Sequence, residues 1–467
     1  MAPPIHVKEP QTRPETCSLE IIVIGAGLAG LGTAIACALA GHKVHILEAT
    51  SSIREVGAGI QVLPNSSRVL THWGLLPRLT PHMTSPRVCN FLHWKGEIIS
   101  SLDFHASESQ YPGTWYRDFH RADLQRCLLE RAEELGVKVT CRARVVDVVP
   151  EVVSSSTPDG WGNTATVIAA DGREWIGDLV ISADGVFGTL SERMLQRHDP
   201  PVKTGDLAYR LLLDTEKMLQ DEELRDFVVN PQVNYWLGPG KHAVNYVLRQ
   251  GELFNMVLLV PDDIPEESLA TTVEGNVEEM CGLFEGWDPR IQKLLKLCQS
   301  VQKWRLCIRF GDCDWAHPSG SWIMLGDAVH ATLPYLASGA GMAFEDGAVL
   351  GECLSRLPSD PSIDKTSPAF LEAKRHALAV FERCRKQRTK MVVERGNVQQ
   401  YLYHLDDGPE QEERDRKMRM VPTPEGEALA WRDPGLAPKL LGYDHIADVD
   451  RNWSFGEKDT EVREARL

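Results

Sequence analysis

Apolar positions fall into three rhythms along the chain. Leu19 to Ile24 is a run rich in β-branched residues that ends on glycine, the pattern of a strand buried on both faces of a parallel sheet. A helical pattern follows from Ala26 to about Ala40, Gly41 stops it, and Lys43 to Glu48 gives a second strand. Together they predict a βαβ unit. A second helical pattern, basic and apolar, runs from Arg121 to Leu135 and leads into strand-like Val137 to Cys141 and Arg144 to Val149, with a strand pair flanking Asp171-Gly172. From Asp206 to about Trp304 the rhythm becomes alternating and turn-rich; Val233 to Leu237, Ala243 to Arg249 and Leu253 to Val260 read as half-exposed strands of a β-rich second domain. Trp322 to Leu325 returns to a buried strand before a glycine turn and a long helical pattern from about Ala340 to Leu357. Leu357 to Pro368 reads as a linker, and Phe370 to Gln400 as a long basic helix.

Composition narrows the class. With 43% hydrophobic and 25% charged residues, 37 Gly and 28 Pro in 467 residues, disordered and collagen-like chains are excluded and a globular protein of more than one domain remains. Fifty basic against 66 acidic residues leave a formal charge of −16, which repels polyanions and argues against nucleic acid. The 11 cysteines include no Cys-x-x-Cys pair, which speaks against zinc or a disulfide framework and for a reducing compartment; no metal site is expected. Residues 1–17 lack the apolar core of a signal peptide, and no run reaches the length of a spanning helix. The expectation is a water-soluble cytoplasmic protein, monomer or homodimer. Ala465-Arg466-Leu467 is similar to the Ser-Lys-Leu address and gives a peroxisomal alternative.

Two glycine motifs carry the chemistry. Gly25-Ala26-Gly27-Leu28-Ala29-Gly30 fits G-x-G-x-x-G between a strand and a helix. Gly25 permits the tight turn, Gly27 lets backbone approach a pyrophosphate, Gly30 lets helix pack on strand, and the helix N-terminus supplies positive potential. Glu48 closes the second strand, where a carboxylate accepts hydrogen bonds from ribose hydroxyls and repels a 2′-phosphate, favouring FAD or NAD. Far downstream, Gly326-Asp327-Ala328-Val329-His330 follows a strand and precedes Pro334 and Gly339-Ala340-Gly341.

These motifs, with Asp178 to Gly185 (DLVISADG) between them, resemble in order and spacing the single-component FAD-dependent aromatic hydroxylases, the salicylate- and para-hydroxybenzoate-hydroxylase-like monooxygenases, in their fungal branch. The resemblance implies an α/β fold: a Rossmann-like FAD-binding domain (18–84, 107–204 and 302–357), a β-rich substrate domain inserted into it (85–106 and 205–301), and a C-terminal helical region (358–467). It implies that Glu48 holds the FAD ribose, that Arg121 opens a helix near the cofactor, and that Asp327 contacts the ribityl chain. Gly59, in the segment Val56 to Ile60, and the Ala340-Gly341 backbone would complete the cradle. Asp184-Gly185 would serve both FAD and an NADPH or NADH donor. Three positions depart from the family pattern in the middle motif, Ser182, Gly188 and Ser191, and Ser338 stands where Gln is common. Tyr443-Asp444 and Trp453 resemble the C-terminal signature of the salicylate branch.

The implied activity is a monooxygenase that uses NAD(P)H and O2 to hydroxylate or epoxidise an aromatic or indolic molecule, in secondary metabolism or aromatic catabolism. The alternatives are a flavin-dependent dehydrogenase or reductase of the same fold, or a non-catalytic flavin-binding protein. Arg210 resembles a catalytic arginine of fungal relatives and would act electrostatically, since a guanidinium stays charged; an ion pair with Asp206 or Asp214 is the alternative. Tyr246 resembles a substrate-facing tyrosine, with a buried structural tyrosine as the alternative. His330 is expected to pack against the cofactor loop. Trp236, Trp287, Trp304 and Trp315 could line an aromatic pocket, yet tryptophan in a β-rich domain is usually core.

Overall fold

Strand β1 (Glu20–Ile24), buried over its last four residues, pairs in parallel with β2 (Lys43–Leu47) on one side and with Leu179–Ser182 on the other. Lys138–Thr140 and Trp322–Met324 extend this sheet to five parallel strands. Both faces are covered, which is why its strands read as apolar runs without alternation. On one face α1 (Leu28–Leu39) packs against α2 (Arg121–Glu134) and, more closely, α3 (Gly339–Ser355). A Cβ on Gly351 would lie 2.7 Å from the Ala36 Cβ, so a glycine there lets the two axes approach. The computed structural model describes residues 5–53, 58–153, 161–268 and 270–464. Val56, Gly57 and the terminal Ala465, Arg466 and Leu467 lie outside the described residues.

The second sheet has eight strands, in the spatial order 272–275, 301–308, 202–214, 253–261, 241–248, 232–238, 88–93 and 98–103. Its pairs are antiparallel except that Gln232–Gly238 runs parallel to Val88–His93. Two of the strands, Val202–Asp214 and Val301–Ile308, run across the domain boundaries expected at 204/205 and 301/302. The expectation of half-exposed strands is corrected: Gln232–Gly238 and Lys241–Leu248 are buried at every position after the first. One face packs on Phe284, Leu294 and neighbours from two short helices, Val277–Leu283 and Pro289–Leu295. The other face meets Tyr335, Tyr403 and Trp431, so alternation toward solvent has no place.

The linker ends at Ser367, whose hydroxyl accepts from Phe370 N–H at 3.4 Å and caps α4 (Pro368–Tyr403). Serine at the cap followed by proline at the first helical position is a strong start signal. From α4, Arg385 reaches the centre of the molecule. Its Nε lies 2.7 Å from Asp346 and its Nη1 2.9 Å from Glu345, and all three side chains are fully buried. Arg388 forms a two-point pair with Glu345 at 2.7 Å for each bond, and Asn65 donates to the same carboxylate at 2.7 Å. Asp346 also accepts from the Gly326 N–H at 2.9 Å and meets His330 Nε2 at 2.6 Å. Burial by itself raises both carboxyls; Arg388 and Arg385 instead bring Glu345 below the usual carboxylate range, and His330 and Arg385 do so for Asp346.

No helix among the described residues is long and apolar enough to cross a membrane, and the 11 cysteines are free thiols.

Two predictions follow from this packing. Arg385→Met leaves two buried carboxylates short of their cation and lowers stability by about 3–5 kcal/mol; a denaturation midpoint equal to that of the parent would contradict the network. Burial also lowers His42 to about 3, His404 to about 4 and His445 to about 3. Each is neutral in the fold and takes up a proton on unfolding below the ordinary 6.5, so its contribution is complete above that pH and is lost as pH falls toward 4. The unfolding free energy from urea titrations is expected to drop between pH 7 and 5, by about 1 kcal/mol per pH unit for each histidine.

Candidate active site

The parallel sheet delivers one side of the site. At the end of β1 the chain turns through Gly25, φ 103°, where a Cβ would lie 2.5 Å from the Ala183 carbonyl oxygen. A Cβ on Gly30 would meet the Gly25 oxygen at 1.9 Å. By contrast nothing lies within 4 Å of the position a Cβ would take on Gly27. Gly27, Leu28 and Ala29 open α1 on a cavity of 320 Å³. The free N–H groups of a helix start therefore border open space, as an anionic group requires. Glu48 accepts from the Ala26 N–H at 2.9 Å and the Thr50 N–H at 2.7 Å, and Gln125 donates to the Ala26 oxygen at 3.0 Å. The carboxylate thus fixes the glycine loop from behind and does not itself line the cavity.

The large sheet delivers the opposite wall, and strand register decides its membership. Arg210 pairs with Val257, Val257 with Val244, and Val244 with Tyr235, so one row crosses four strands. All four line the cavity. Two residues along the strands, His242 pairs with Leu259, and both line it too. The Arg210 guanidinium sits 5.2 Å from the centre of the Trp304 ring. The two aspartates offered as its ion-pair partners have other contacts: Asp206 accepts from Tyr335 and Gln400, and Asp214 from the Glu216 N–H.

A third element closes the side. Gly59–Val62 pairs with Arg117–His120, which delivers Arg121 into the cavity at the start of α2. Gly59 donates its N–H to Asn255 at 2.7 Å, and a Cβ on it would fall 2.4 Å from the Tyr246 ring. Glycine is the residue that lets this strand lie flush on Tyr246. Burial pushes the Tyr246 hydroxyl well up, with nearby Asp118 adding to it, so it stays a protonated donor.

The Gly326 turn closes the last side. Asp327 is exposed and lines the cavity with Ala337, Ser338, Gly339 and Ala340, whereas Gly341 faces Asn65 and Ser66. In the middle motif, Ala183 and Gly185 reach the cavity. Asp184 turns aside to accept from the Leu190 N–H at 3.2 Å, and burial raises its carboxyl. A Cβ on Gly188 would fall 2.1 Å from that carboxylate, and Ser182 accepts from the Trp322 indole at 2.8 Å. These two family departures are therefore matched to their own neighbours.

The FAD binding domain family profile matches residues 18–255. The FAD-dependent monooxygenase OpS4 of Beauveria bassiana (strain ARSEF 2860) is 39% identical over 437 residues, 92% of this chain and 96% of its own. The chain belongs to the FAD-dependent monooxygenases of the aromatic hydroxylase type. The 3-amino-4-hydroxybenzoate 2-monooxygenase of Streptomyces cremeus is 31% identical over 416 residues, 88% of this chain and 94% of its own. A salicylate hydroxylase substrate complex superposes with a TM-score of 0.72 at 21% identity, over 94% of this chain and 98% of the other, and shares the fold. The monooxygenase binds FAD, and the cradle fits it: the space at Gly27 is open, the α1 start is uncapped by any side chain, and Arg121 and Asp327 both line the cavity.

The tryptophans serve the core, as is usual for tryptophan in a β-rich domain. None of Trp236, Trp287, Trp304 and Trp315 lines the cavity; its aromatic walls are Tyr235, Tyr246 and Tyr335. Trp236 donates to Asp288 at 2.8 Å, Trp287 packs on Phe284, and Trp315 packs beside His330. Trp304 acts one step back, beneath Arg210. Sequence reasoning missed Gln61, Tyr235, His242 and Tyr335. For His242 a signal existed: with Tyr246 on the cavity, the two-residue period of a strand brings Val244 and His242 to the same face. Tyr335 and Gln61 carried no such signal.

Glu48→Ala removes the acceptor for two loop N–H groups and is expected to weaken FAD binding by about tenfold or more, on the scale of a hydrogen bond to a charged group. Flavin fluorescence titration of the apoprotein reads this, and an unchanged Kd would remove Glu48 from the cofactor site.

Proposed function

We propose that the monooxygenase takes electrons from NADPH or NADH and uses O2 to hydroxylate or epoxidise an aromatic or indolic small molecule, in secondary metabolism or aromatic catabolism. The observation that carries this reading is a permanent cation, Arg210, set among Val244, Val257, Leu259 and the rings of Tyr235 and Tyr246 on the cavity wall supplied by the large sheet, across from the dinucleotide cradle. Bound FAD supplies hydride acceptance and dioxygen activation, which no side chain can provide. In this reading Gly25, Gly27, Gly30 and Glu48 form the adenosine and pyrophosphate side, Asp327 and the Ala340-Gly341 backbone the ribityl side, and Arg121 and Gly59 the flank near the flavin. Asp184-Gly185 stands at the donor's approach.

The chain's own contribution is positioning and electrostatics. The apolar row holds a flat ring and excludes water, so charge interactions inside it are strong. Arg210, steadied on Trp304, favours the ionised form of a ring hydroxyl and raises electron density on the ring. Tyr246, protonated throughout, donates to a ring oxygen and fixes which carbon is presented. The relative that acts on 3-amino-4-hydroxybenzoate supports a hydroxylated ring as substrate.

Anaerobic addition of NADPH or NADH to the yellow holoprotein, with a panel of phenols and indoles, tests the reading. Bleaching accelerated by one ligand class, followed by oxygenated product in air, is the expected result. Flavin that never bleaches under any ligand would refute it. Arg210→Ala is expected to keep FAD bound while product formation falls about a hundredfold or more, the scale of losing one preorganised charge at a reacting group. Parental turnover would reduce Arg210 to a structural residue.

A further inference from the structure

One corner of the cavity is built from three polar side chains in contact one after another. Gln61 and Asp118 are opposite each other in the pairing of Gly59–Val62 with Arg117–His120, so both stand on the face where Gly59 leaves room for Tyr246. Gln61 lines the cavity. Asp118 lies behind it, almost wholly buried, and its carboxyl accepts from the Gln61 amide. The amide oxygen is left for Tyr235, whose hydroxyl donates to Gln61 Oε1 at 3.4 Å. Tyr235 lines the cavity as well, so this bond joins two residues of its wall. The Tyr235 ring is clamped: Phe91 stacks on it at 5.3 Å, and Tyr403 and Trp431 meet it at an angle at 5.8 and 6.2 Å.

A tyrosine hydroxyl has one hydrogen. With that hydrogen committed to Gln61, what Tyr235 offers the cavity is an oxygen lone pair. We propose that Asp118 is a positioning residue that, through Gln61, holds Tyr235 as a hydrogen-bond acceptor, and that the site thereby selects aromatic molecules carrying an N–H or O–H donor besides the oxygen held at Arg210. The selection deepens the reading of an aromatic substrate and rests on it. Arg210 and Tyr235 end the row of four wall residues, with Val257 and Val244 between them. Three strand spacings separate the two ends, about 14 Å along the sheet. The oxygen and the donor therefore belong at opposite ends of the substrate with an apolar ring between them, the layout of an aminophenol or of a hydroxyindole with its ring N–H.

Two other polar groups of this wall act the opposite way. Arg210 has donors alone, and Tyr246 keeps its proton. Asp118 is suited to brace an amide without adding a charge. Burial pushes its carboxyl well up, with the Gln61 hydrogen bond and Arg117 opposing, and its Oδ2 is buried with no hydrogen-bond partner among the described residues. An uncharged acid accepts from Gln61 at one oxygen and keeps its proton on the other, so asparagine can take its place and leucine cannot. Burial likewise holds the Tyr235 hydroxyl in its protonated form.

The test is equilibrium binding to the oxidised holoenzyme under anaerobic conditions, read by the change in flavin absorbance without turnover. Two pairs of probes serve: para-aminophenol with its N,N-dimethyl derivative, and 5-hydroxyindole with its N-methyl derivative. The parent is expected to bind the N–H member of a pair about tenfold more tightly, the scale of one hydrogen bond. In Tyr235→Phe and in Asp118→Leu that member is expected to fall to the affinity of its methylated partner, which stays unchanged, while Asp118→Asn keeps the parental preference. An equal loss for both members in Tyr235→Phe overturns the inference, since a ring that only packs gives that result. A parent that binds both members alike also overturns it, and either outcome leaves the aromatic reading standing. A preference kept in Asp118→Leu, or lost in Asp118→Asn, overturns the part assigned to Asp118. A parent that binds none of the four probes overturns the aromatic reading and the inference with it. Gln61→Leu serves if Asp118→Leu does not fold, with the same outcomes.

Discussion

The fully buried contact between Arg385 and the Glu345-Asp346 pair joins parts of the chain that no local rule brings together. Charges removed from water are tolerable only when every partner is in place. Meeting that demand fixes α4 on α3, and through Asp346 it fixes the Gly326 amide and His330. The turn that carries Asp327 is therefore tied to a helix whose far end carries His404. It is the middle of α4, through Arg385 and Asp346, that bears on the Gly326 turn.

The opposite wall depends on register. A slip of one residue along Lys241–Leu248 would turn His242, Val244 and Tyr246 away from the cavity and bring Ala243, Asn245 and Val247 to it. Asn255 opposes such a slip: it pairs with Tyr246 in the ladder and holds the Gly59 N–H, so one side chain links the wall to the flank. Gly59 in turn fits only because it has no side chain to collide with Tyr246.

The shape of the glycine loop, the Glu48 carboxylate that braces it and the Gly326 turn were legible because they are local: backbone conformation and one nearby carboxylate are written within a few dozen residues. Arg210 and Tyr246 were legible through family resemblance, and both line the cavity. The tryptophans are core, the usual reading for that residue in a β-rich domain, while the aromatic wall of tyrosines was not legible because which large ring meets a cavity depends on what packs opposite it. Gly188 shows the reverse, since its departure from the family pattern makes sense only beside the Asp184 carboxylate.

By itself the sequence determined the βαβ unit, the paired glycine turns and the family, because strand period, turn conformation and helix-start chemistry depend on neighbours in the chain. Tertiary structure decided which residues share the cavity, that the central strands of the eight-stranded sheet are buried on both faces, and that α4 reaches the Gly326 turn. Those outcomes rest on register and on burial of charge, which depend on residues hundreds of positions apart and leave no periodic trace in either partner.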